Sequence, residues 1–320
     1  MEKYLLIMTR NYKEEIKMAL GTLDIVTDTT VKQFLEKMDL QNAILTAIAN
    51  REGGSDVPTI EINNMLMVQQ LVRMGVASKI FTVGGQILCN HEQFGTLAWD
   101  IIGIDVDKPT DPQYKYSMTL QLHDCIKAAT YQFDAPEPTN PDSNRQKYGS
   151  NNWSQSAIRQ WLNSDGEAGK WWTAQTEYDV APAFASSQAG FLKGLSKEFL
   201  GVIGNVDKIT AKPSVDGGGS ETLSEKFFLP SMTEVYGGEN NGIAEGVVYP
   251  YYANGSTLEA PGTGEDTNRI KNKGDAANSW WLRSCTPTNS SIERIVTASG
   301  TVGYDYANNS TGVAPACCII

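Results

Sequence analysis

The sequence predicts an α+β fold, on three observations. From about residue 80 onward, short apolar runs rich in aromatic and β-branched residues alternate with turns of Gly, Asn, Ser and Thr. Helical periodicity is confined to a few separate segments. Helices and strands do not alternate regularly, which argues against a doubly wound parallel sheet. The chain has 320 residues, room for about two domains at roughly 150 residues each. Because composition changes near residue 80, the expected division is a helical region over residues 1–78 and a larger mixed domain over residues 79–320.

In the first region Thr29 or Thr30 can cap a helix whose apolar stripe is Val31, Phe34, Leu35, Met38, Leu40, Ile44, Leu45 and Ile48. Two glycines and a proline in residues 51–58 end it. A second helix carries Met65, Leu66, Val68, Leu71, Val72 and Met74. Helices of this size do not bury an apolar face alone. They are expected to pack on the rest of the chain or on copies of it, serving assembly or attachment. In the larger domain, residues 79–83, 87–89 and 97–104 read as strands between glycine turns. Ser154 is placed to cap a helix with Ile158, Trp161 and Leu162 on one face. Phe191, Leu192, Leu195, Phe199, Leu200 and Ile203 mark another helix, and Trp171 and Trp172 lie between the two. After the glycines 217–219, residues 227–229 read as a buried strand and Pro230 with Ser231 as the start of a turn or short helix. The tail reads as four strands, over residues 280–284, 292–297, 301–304 and 313–320.

Charge and composition exclude several function classes. Lys plus Arg number 26 and Asp plus Glu 37, for a net charge of −11. That field repels phosphate backbones and anionic lipid, so no nucleic-acid partner is expected. Apolar runs stay short of the ~20 residues of a membrane-spanning helix, so no membrane insertion is expected. Arg10, Lys13, Glu14 and Glu15 interrupt the opening apolar stretch, which does not read as a secretory signal. A virion, or the cytoplasm that makes it, is the expected location. The 7 Trp, 13 Tyr and 9 Phe are too many for a solvated coil. Cys89, Cys125, Cys285, Cys317 and Cys318 form no CxxC pair and are read as buried free thiols. With His91 and His123 the only histidines, zinc spacing is absent, and neither metal nor cofactor is expected.

Catalytic signatures are missing: no GxSxG elbow, HExxH helix or GxxxxGK[ST] loop occurs. His123 has Asp124 and Cys125 beside it, and a Cys–His pair can act as a nucleophile. Sequence neighbours rarely point at each other, so His123 is read as a hydrogen-bonded structural residue. Asp100, Asp105, Asp107 and Asp111 lack the glycine of a calcium loop and are read as solvated carboxylates. No two acids stand out as a glycosidase pair, whose separation is a spatial quantity. The expectation is a protein that is not an enzyme.

The last forty residues hold the candidate contact set: Thr286, Asn289, Ser290, Ser291, Glu293, Arg294, Tyr304, Asp305, Tyr306, Asn308 and Asn309. This composition is close to that of a paratope, in which tyrosine supplies area at low entropy cost while Ser and Asn supply adaptable hydrogen bonds. Ile292, Arg294 and Val296 alternate with Glu293, Ile295 and Thr297, so one of these two rows alone faces solvent.

Trp280-Trp-Leu-Arg-Ser284, a polar stretch, Ser-Gly-Thr-Val at 299–302 and Ser-Thr-Gly-Val-Ala-Pro-Ala at 310–316 resemble the end of C-type-lectin-like domains. More narrowly they resemble an uncharacterised family of phages and prophage-bearing bacteria. Blocks at 97–103, 152–163 and 227–234 fit as well, so the resemblance covers roughly residues 80–320. It implies an irregular antiparallel sheet and two main helices locked by tryptophans, with the C-terminal strands and loops presenting a ligand surface. It also implies a receptor-binding or adhesin-type protein whose partner is a protein or glycan on a cell surface, or else a structural virion protein with a decorative domain. Proteins of this kind include the variable proteins of diversity-generating retroelements, in which adenine-directed mutagenesis leaves Asn, Tyr, Ser and Asp near the C-terminus. Formylglycine-generating oxidases share the fold but place a cysteine pair a few residues apart, and here Cys285 stands far from Cys317 and Cys318. The motifs of calcium-dependent sugar lectins are also altered: Glu137-Pro-Thr-Asn140 carries an insertion, and Leu-Arg follows the final tryptophans.

Overall fold

The computed structural model describes residues 65–127, 130–253 and 266–320. The helix expected over Val31 to Ile48 lies outside them. The chain divides into two units, Met1–Glu61 and Ile62–Ile320, and every described residue belongs to the second. Residues 65–78 thus lie in the same unit as the residues that follow them.

The unit is α+β and almost wholly antiparallel. Helices α1 (Met65–Arg73) and α2 (Ala77–Ile80) precede strands β1 (Gln86–His91), β2 (Gly95–Ile104), β3 (Met118–Leu122) and β4 (Tyr131–Gln132). Helices α3 (Ser143–Tyr148), α4 (Ala157–Leu162) and α5 (Lys197–Val202) follow, then β5 (Ile203–Gly204), β6 (Val206–Ala211), β7 (Ser220–Glu225) and β8 (Phe227–Phe228). Helix α6 (Met232–Tyr236) leads to β9 (Lys271–Lys273), β10 (Ala276–Asn278), β11 (Trp280–Cys285), β12 (Ile292–Val296), β13 (Val302–Tyr306), β14 (Ser310–Thr311) and β15 (Ala316–Ile319).

The main sheet has the order β1-β2-β3-β15-β5, with β8 also pairing β15. The last strand thus lies in the middle of the sheet, between β3 on one side and β5 and β8 on the other. All of its residues are buried, which is why residues 313–320 read as a continuous apolar run rather than an alternating one. A second sheet, β11-β12-β13, carries the candidate contact region. Helix α1 buries Val68, Leu71 and Val72; the Gln69 amide donates to the Ile320 carbonyl at 2.8 Å, and Glu198 of α5 accepts from the Met65 backbone N–H at 3.0 Å.

Local chemistry explains most of the elements. Ser231 caps α6 with a full capping box against Glu234. Ser156 caps α4, and Ser154 instead sits in a short 3-10 turn that Asn152 caps. Ile158, Trp161 and Leu162 form the buried face of α4, as their spacing requires. The expected helix over 191–203 is broken: a 3-10 turn covers Phe191–Gly194, then Ser196 caps α5. Residues 79–83 are not a strand, because Lys79 and Ile80 close α2 and Gly84 then turns the chain at φ +90°.

Seven tryptophans punctuate the interior, and five of them, Trp99, Trp153, Trp161, Trp280 and Trp281, are wholly buried. The Trp281 indole donates to the Tyr131 carbonyl at 2.8 Å and meets Phe133 edge-on at 5.8 Å between centroids. Tyr131 stacks in turn on Trp161 at 4.4 Å.

Beside this aromatic core lies a buried chain of charge. Arg283 of β11 forms a two-pronged pair with Glu234 (2.6 and 3.0 Å) and donates to the carbonyls of Leu229, Ile209 and Glu245. Lys208 of β6 reaches Glu234 and Asp107, each at 2.5 Å, and Tyr249 at 2.8 Å. Burial alone would raise the carboxyl of Glu234, but Arg283 and Lys208 hold it below the ordinary range; Lys208 does the same for Asp107.

Two substitutions test this scaffold. Trp281→Ala is expected to cost about 3–5 kcal/mol in chemical denaturation, and melting like the parent would contradict the assignment. Arg283→Leu leaves Glu234 buried without its leading countercharge and is expected to cost about 3–5 kcal/mol by the same measurement.

Candidate functional site

Strands β12 and β13 pair Ile292 with Tyr306, Glu293 with Asp305, Arg294 with Tyr304, Ile295 with Gly303 and Val296 with Val302. Directly opposed residues share a face, so Ile292, Arg294, Tyr304 and Tyr306 stand on one side and Glu293, Ile295 and Asp305 on the other. Of the two rows distinguished in the sequence, the one with Arg294 is the outer one. Tyr304 is 67% exposed and Tyr306 37%. The Arg294 guanidinium donates to the Asn241 side chain at 3.1 Å.

Helix α3 completes this face. Asp142 caps it, accepting from the backbone N–H groups of Asn144 (2.8 Å) and Arg145 (3.2 Å). Its end is set by Gly149 at φ +78°, where any side chain would sit 2.7 Å from the Ala135 carbonyl oxygen. That stop leaves Tyr148 lying parallel to Tyr306, with ring centroids 3.9 Å apart and planes 12° from parallel. Lys147 holds its ammonium 4.8 Å from the Tyr148 ring centre. The turn after β13 is closed by Asp305, whose carboxylate accepts from the Tyr306 backbone N–H (2.9 Å) and the Asn309 side chain (2.5 Å). Asn308 donates its backbone N–H to the Tyr148 carbonyl at 2.9 Å. A continuous edge results, with tyrosines at its centre and Lys147, Arg294 and Asn309 around them, while Asp305 closes the turn from the other side of the strand. Tyr148, Lys147 and Asn241 were absent from the expected set, because no local signal ties residues so far away in sequence to β13.

The rest of the expected set belongs to the scaffold. Ser290, Ser291 and Glu293 are buried and leave the contact surface. The Ser290 hydroxyl donates to Asp142 at 2.9 Å, and its carbonyl accepts from Arg145. Asn289 folds its side-chain oxygen back onto the backbone N–H groups of Ser291 (2.8 Å) and Ile292 (3.1 Å). The Asn151 amide donates to the carbonyls of Asn289 (2.9 Å) and Ile292 (2.7 Å), pinning the loop that also contains the half-buried Thr286. Arg145 grips Asp216 through both guanidinium nitrogens and so ties α3 to the loop after β6. The loop's Ser and Asn content, which resembles a paratope, is in large part a hydrogen-bonded support.

Glu293 lies across from Cys285 with neither carboxylate oxygen hydrogen-bonded. Burial pushes its carboxyl well above the ordinary range, and neighbouring Glu245 adds to this. All five cysteines are unpaired and buried, and burial raises Cys125 to about 12. It is therefore an inert thiol rather than a partner for His123. The four aspartates of residues 100–111 serve separate ends. Asp100 receives His123, Asp105 the Ser117 backbone, Asp107 the Lys208 ammonium and Asp111 the Gln113 amide. No group of three or more His, Cys, Asp or Glu is placed to hold a metal ion among the described residues. Nor does any described helix have the length and apolarity to cross a membrane.

A family model described as a domain of unknown function (DUF6273) matches residues 118–320. That is well over half of the chain, which belongs to this family. The match begins at the first residue of β3 and so includes the β3–β15 pairing and the whole β11-β12-β13 sheet. No curated protein and no solved structure matches the chain.

Two measurements follow from this geometry. Tyr304→Ala should change stability by no more than about 0.5 kcal/mol, whereas Tyr306→Ala should cost about 0.5–1.5 kcal/mol beyond lost area because it unstacks Tyr148. A urea titration comparing the two checks this. Folded Glu293 keeps a proton that the unfolded chain releases, so its contribution to stability falls as pH rises above the ordinary carboxylate range, by about 1.4 kcal/mol per unit. Glu293→Gln removes that slope and should stabilise the protein more at about pH 8 than at about pH 5; an equal gain at both would refute the protonated assignment.

Proposed function

We propose that this DUF6273 protein is a non-enzymatic binding protein, a phage or prophage virion component or surface-displayed adhesin, ending in a C-type-lectin-like domain. The observation that carries the reading is Tyr304. It stands 67% exposed on a strand whose sheet is anchored by fully buried tryptophans. A large aromatic side chain held out from a rigid support offers contact area with little left to order on binding. Tyr306, stacked on Tyr148, extends the area, and Arg294 and Lys147 add cationic donors beside it. The partner is a protein or glycan on a cell surface.

The C-type-lectin-like reading is supported by the central position of the last strand in the main sheet, the short capped helices and the buried Trp280-Trp281 pair. The reading that this face is diversified is narrowed by burial. Exposed Tyr304, Tyr306 and Asn309 can change without loss of the fold, half-buried Asp305 and Asn308 with more effect on the turn, whereas Ser290, Ser291 and Glu293 cannot.

Two tests apply. In a binding screen against immobilised bacterial surface material, Tyr304→Ala should weaken capture by at least about tenfold while melting like the parent. Unchanged capture would sink the assignment of this face. Should a repeat of the gene's end lie in the neighbouring DNA, its adenines should coincide with the codons of Tyr304, Asp305, Tyr306, Asn308 and Asn309 and spare that of Glu293. Absence of any such repeat removes the diversification claim and leaves the binding claim standing.

A further inference from the structure

A second site lies away from the β12–β13 face, where the chain leaves β3 and meets the segments at 250–253 and 267–272. Its base is Asp100 of β2, a buried carboxylate. One oxygen accepts from the Gln86 amide at 2.9 Å and the other from the Tyr251 hydroxyl at 3.0 Å. The imidazole of His123 presents Nδ1 to both, at 3.0 and 2.9 Å. Since Gln86 and Tyr251 already donate to it, this carboxylate acts as an acceptor, and Nδ1 carries the hydrogen. In the neutral imidazole Nε2 is then left as an acceptor, and the His123 side chain is 48% exposed.

The surroundings are fixed as firmly. The buried ammonium of Lys271 donates to the carbonyls of Leu122 and His123 at 2.7 and 2.9 Å. Burial lowers its pKa to about 8, against which Asp100 is the leading favourable charge. Tyr251 is clipped to β2 through its backbone N–H and the Ile102 carbonyl at 3.2 Å, and the Asn268 amide donates to the Tyr251 carbonyl at 2.8 Å. Two adjoining clefts, of about 350 and 540 Å³, share Tyr251 and Asn268 as lining residues. Cavities of this size hold small ligands, and one buried carboxylate positions both the tyrosine that lines the two clefts and the histidine that lines the smaller one.

We propose that this cleft binds an uncharged polyhydroxylated ligand of the saccharide class. The smaller cleft offers acceptors (Nε2 of His123 and the Asp124 carboxylate), amides that both donate and accept (Asn268 and Asn272), and the ring of Tyr251. Vicinal hydroxyls, each both donor and acceptor, match such a mixture, and the C–H faces of a sugar ring match an aromatic wall. Among the described residues no lysine or arginine lines either cleft, so a phosphate or carboxylate ligand finds no lysine or arginine countercharge there in a protein of net charge −11. The site shares no residue with the β12–β13 face and does not depend on the function proposed for it.

The test is calorimetric titration of the full chain with cellobiose, maltose, lactose and N,N′-diacetylchitobiose, with glucose 6-phosphate and glucosamine as charged comparators. At least one neutral disaccharide should bind saturably. His123→Ala should weaken it by about tenfold, the effect of one lost hydrogen bond. Asn268→Ala, at an exposed position, should act in the same direction while melting like the parent, which covers the case of a misfolded His123 variant. Four overturning results are defined: no neutral sugar binds; only a charged comparator binds; neither cleft substitution weakens binding; or Tyr304→Ala removes it, which would move the sugar to the other face.

Discussion

The pairing of Arg283 with Glu234 holds this molecule together at its least forgiving point. Taking both charges out of water costs several kcal/mol per ion, and the mutual attraction repays that only with good geometry and further hydrogen bonds. Both conditions are met. The guanidinium spends its donors on Glu234, Thr210 and three main-chain carbonyls. Glu234 is shared with Lys208, Lys208 with Asp107, and Asp107 with Thr119 and Tyr249. The chain of charges thereby joins the turn after β2 and strand β3 of the main sheet to β6, α6 and β11, so that strands of three different sheets are tied together. A displacement of any one would leave an unpaired charge in the interior.

That constraint sets the β11-β12-β13 sheet relative to the main one and so decides what faces outward. With Trp280 and Trp281 buried beside Arg283, β12 and β13 have a single solvent side, and the alternation of side chains delivers Tyr304 and Tyr306 to it. The loop before β12 is held by groups from α3 and the segment after it, namely Asp142, Arg145 and Asn151. Its polar side chains are consumed in that holding. Polar composition near a surface therefore divides into residues that make the support and residues that meet a partner, and hydrogen bonding rather than residue type separates them.

The two surface features use one device at different places. On the β12–β13 face Asp142 caps α3 and receives Ser290, so that Tyr148 meets Tyr306. Under the second cleft Asp100 receives Gln86, His123 and Tyr251. In each case a carboxylate that accepts three or more hydrogen bonds helps to fix an aromatic side chain, Asp100 by bonding Tyr251 directly and Asp142 through the helix that carries Tyr148, and fixed side chains lose little entropy when a ligand arrives.

Periodicity and capping chemistry were enough to determine many of the local elements. The stripe of α1, the buried face of α4, the Ser231 capping box, most of β2, β8 and the tail strands are all legible in sequence, because each depends on residues within a turn or two. Residues 118–122 and the β6–β7 hairpin were not read as strands. The first does carry a period-two pattern, Met118, Leu120 and Leu122 against Thr119 and Gln121, but over five residues only, and both of its rows are buried; the second is largely polar, with the buried Lys208, Thr210 and Glu225 in positions where apolar residues would have signalled a strand. At the candidate site, Tyr304 and Tyr306 were legible as a period-two pair. The burial of Ser290, Ser291 and Glu293, the stacking of Tyr148 and the gathering of Asp100, His123 and Tyr251 were decided by tertiary structure alone. These depend on partners tens to more than a hundred residues away, and one chain read in order carries no signal of such distances.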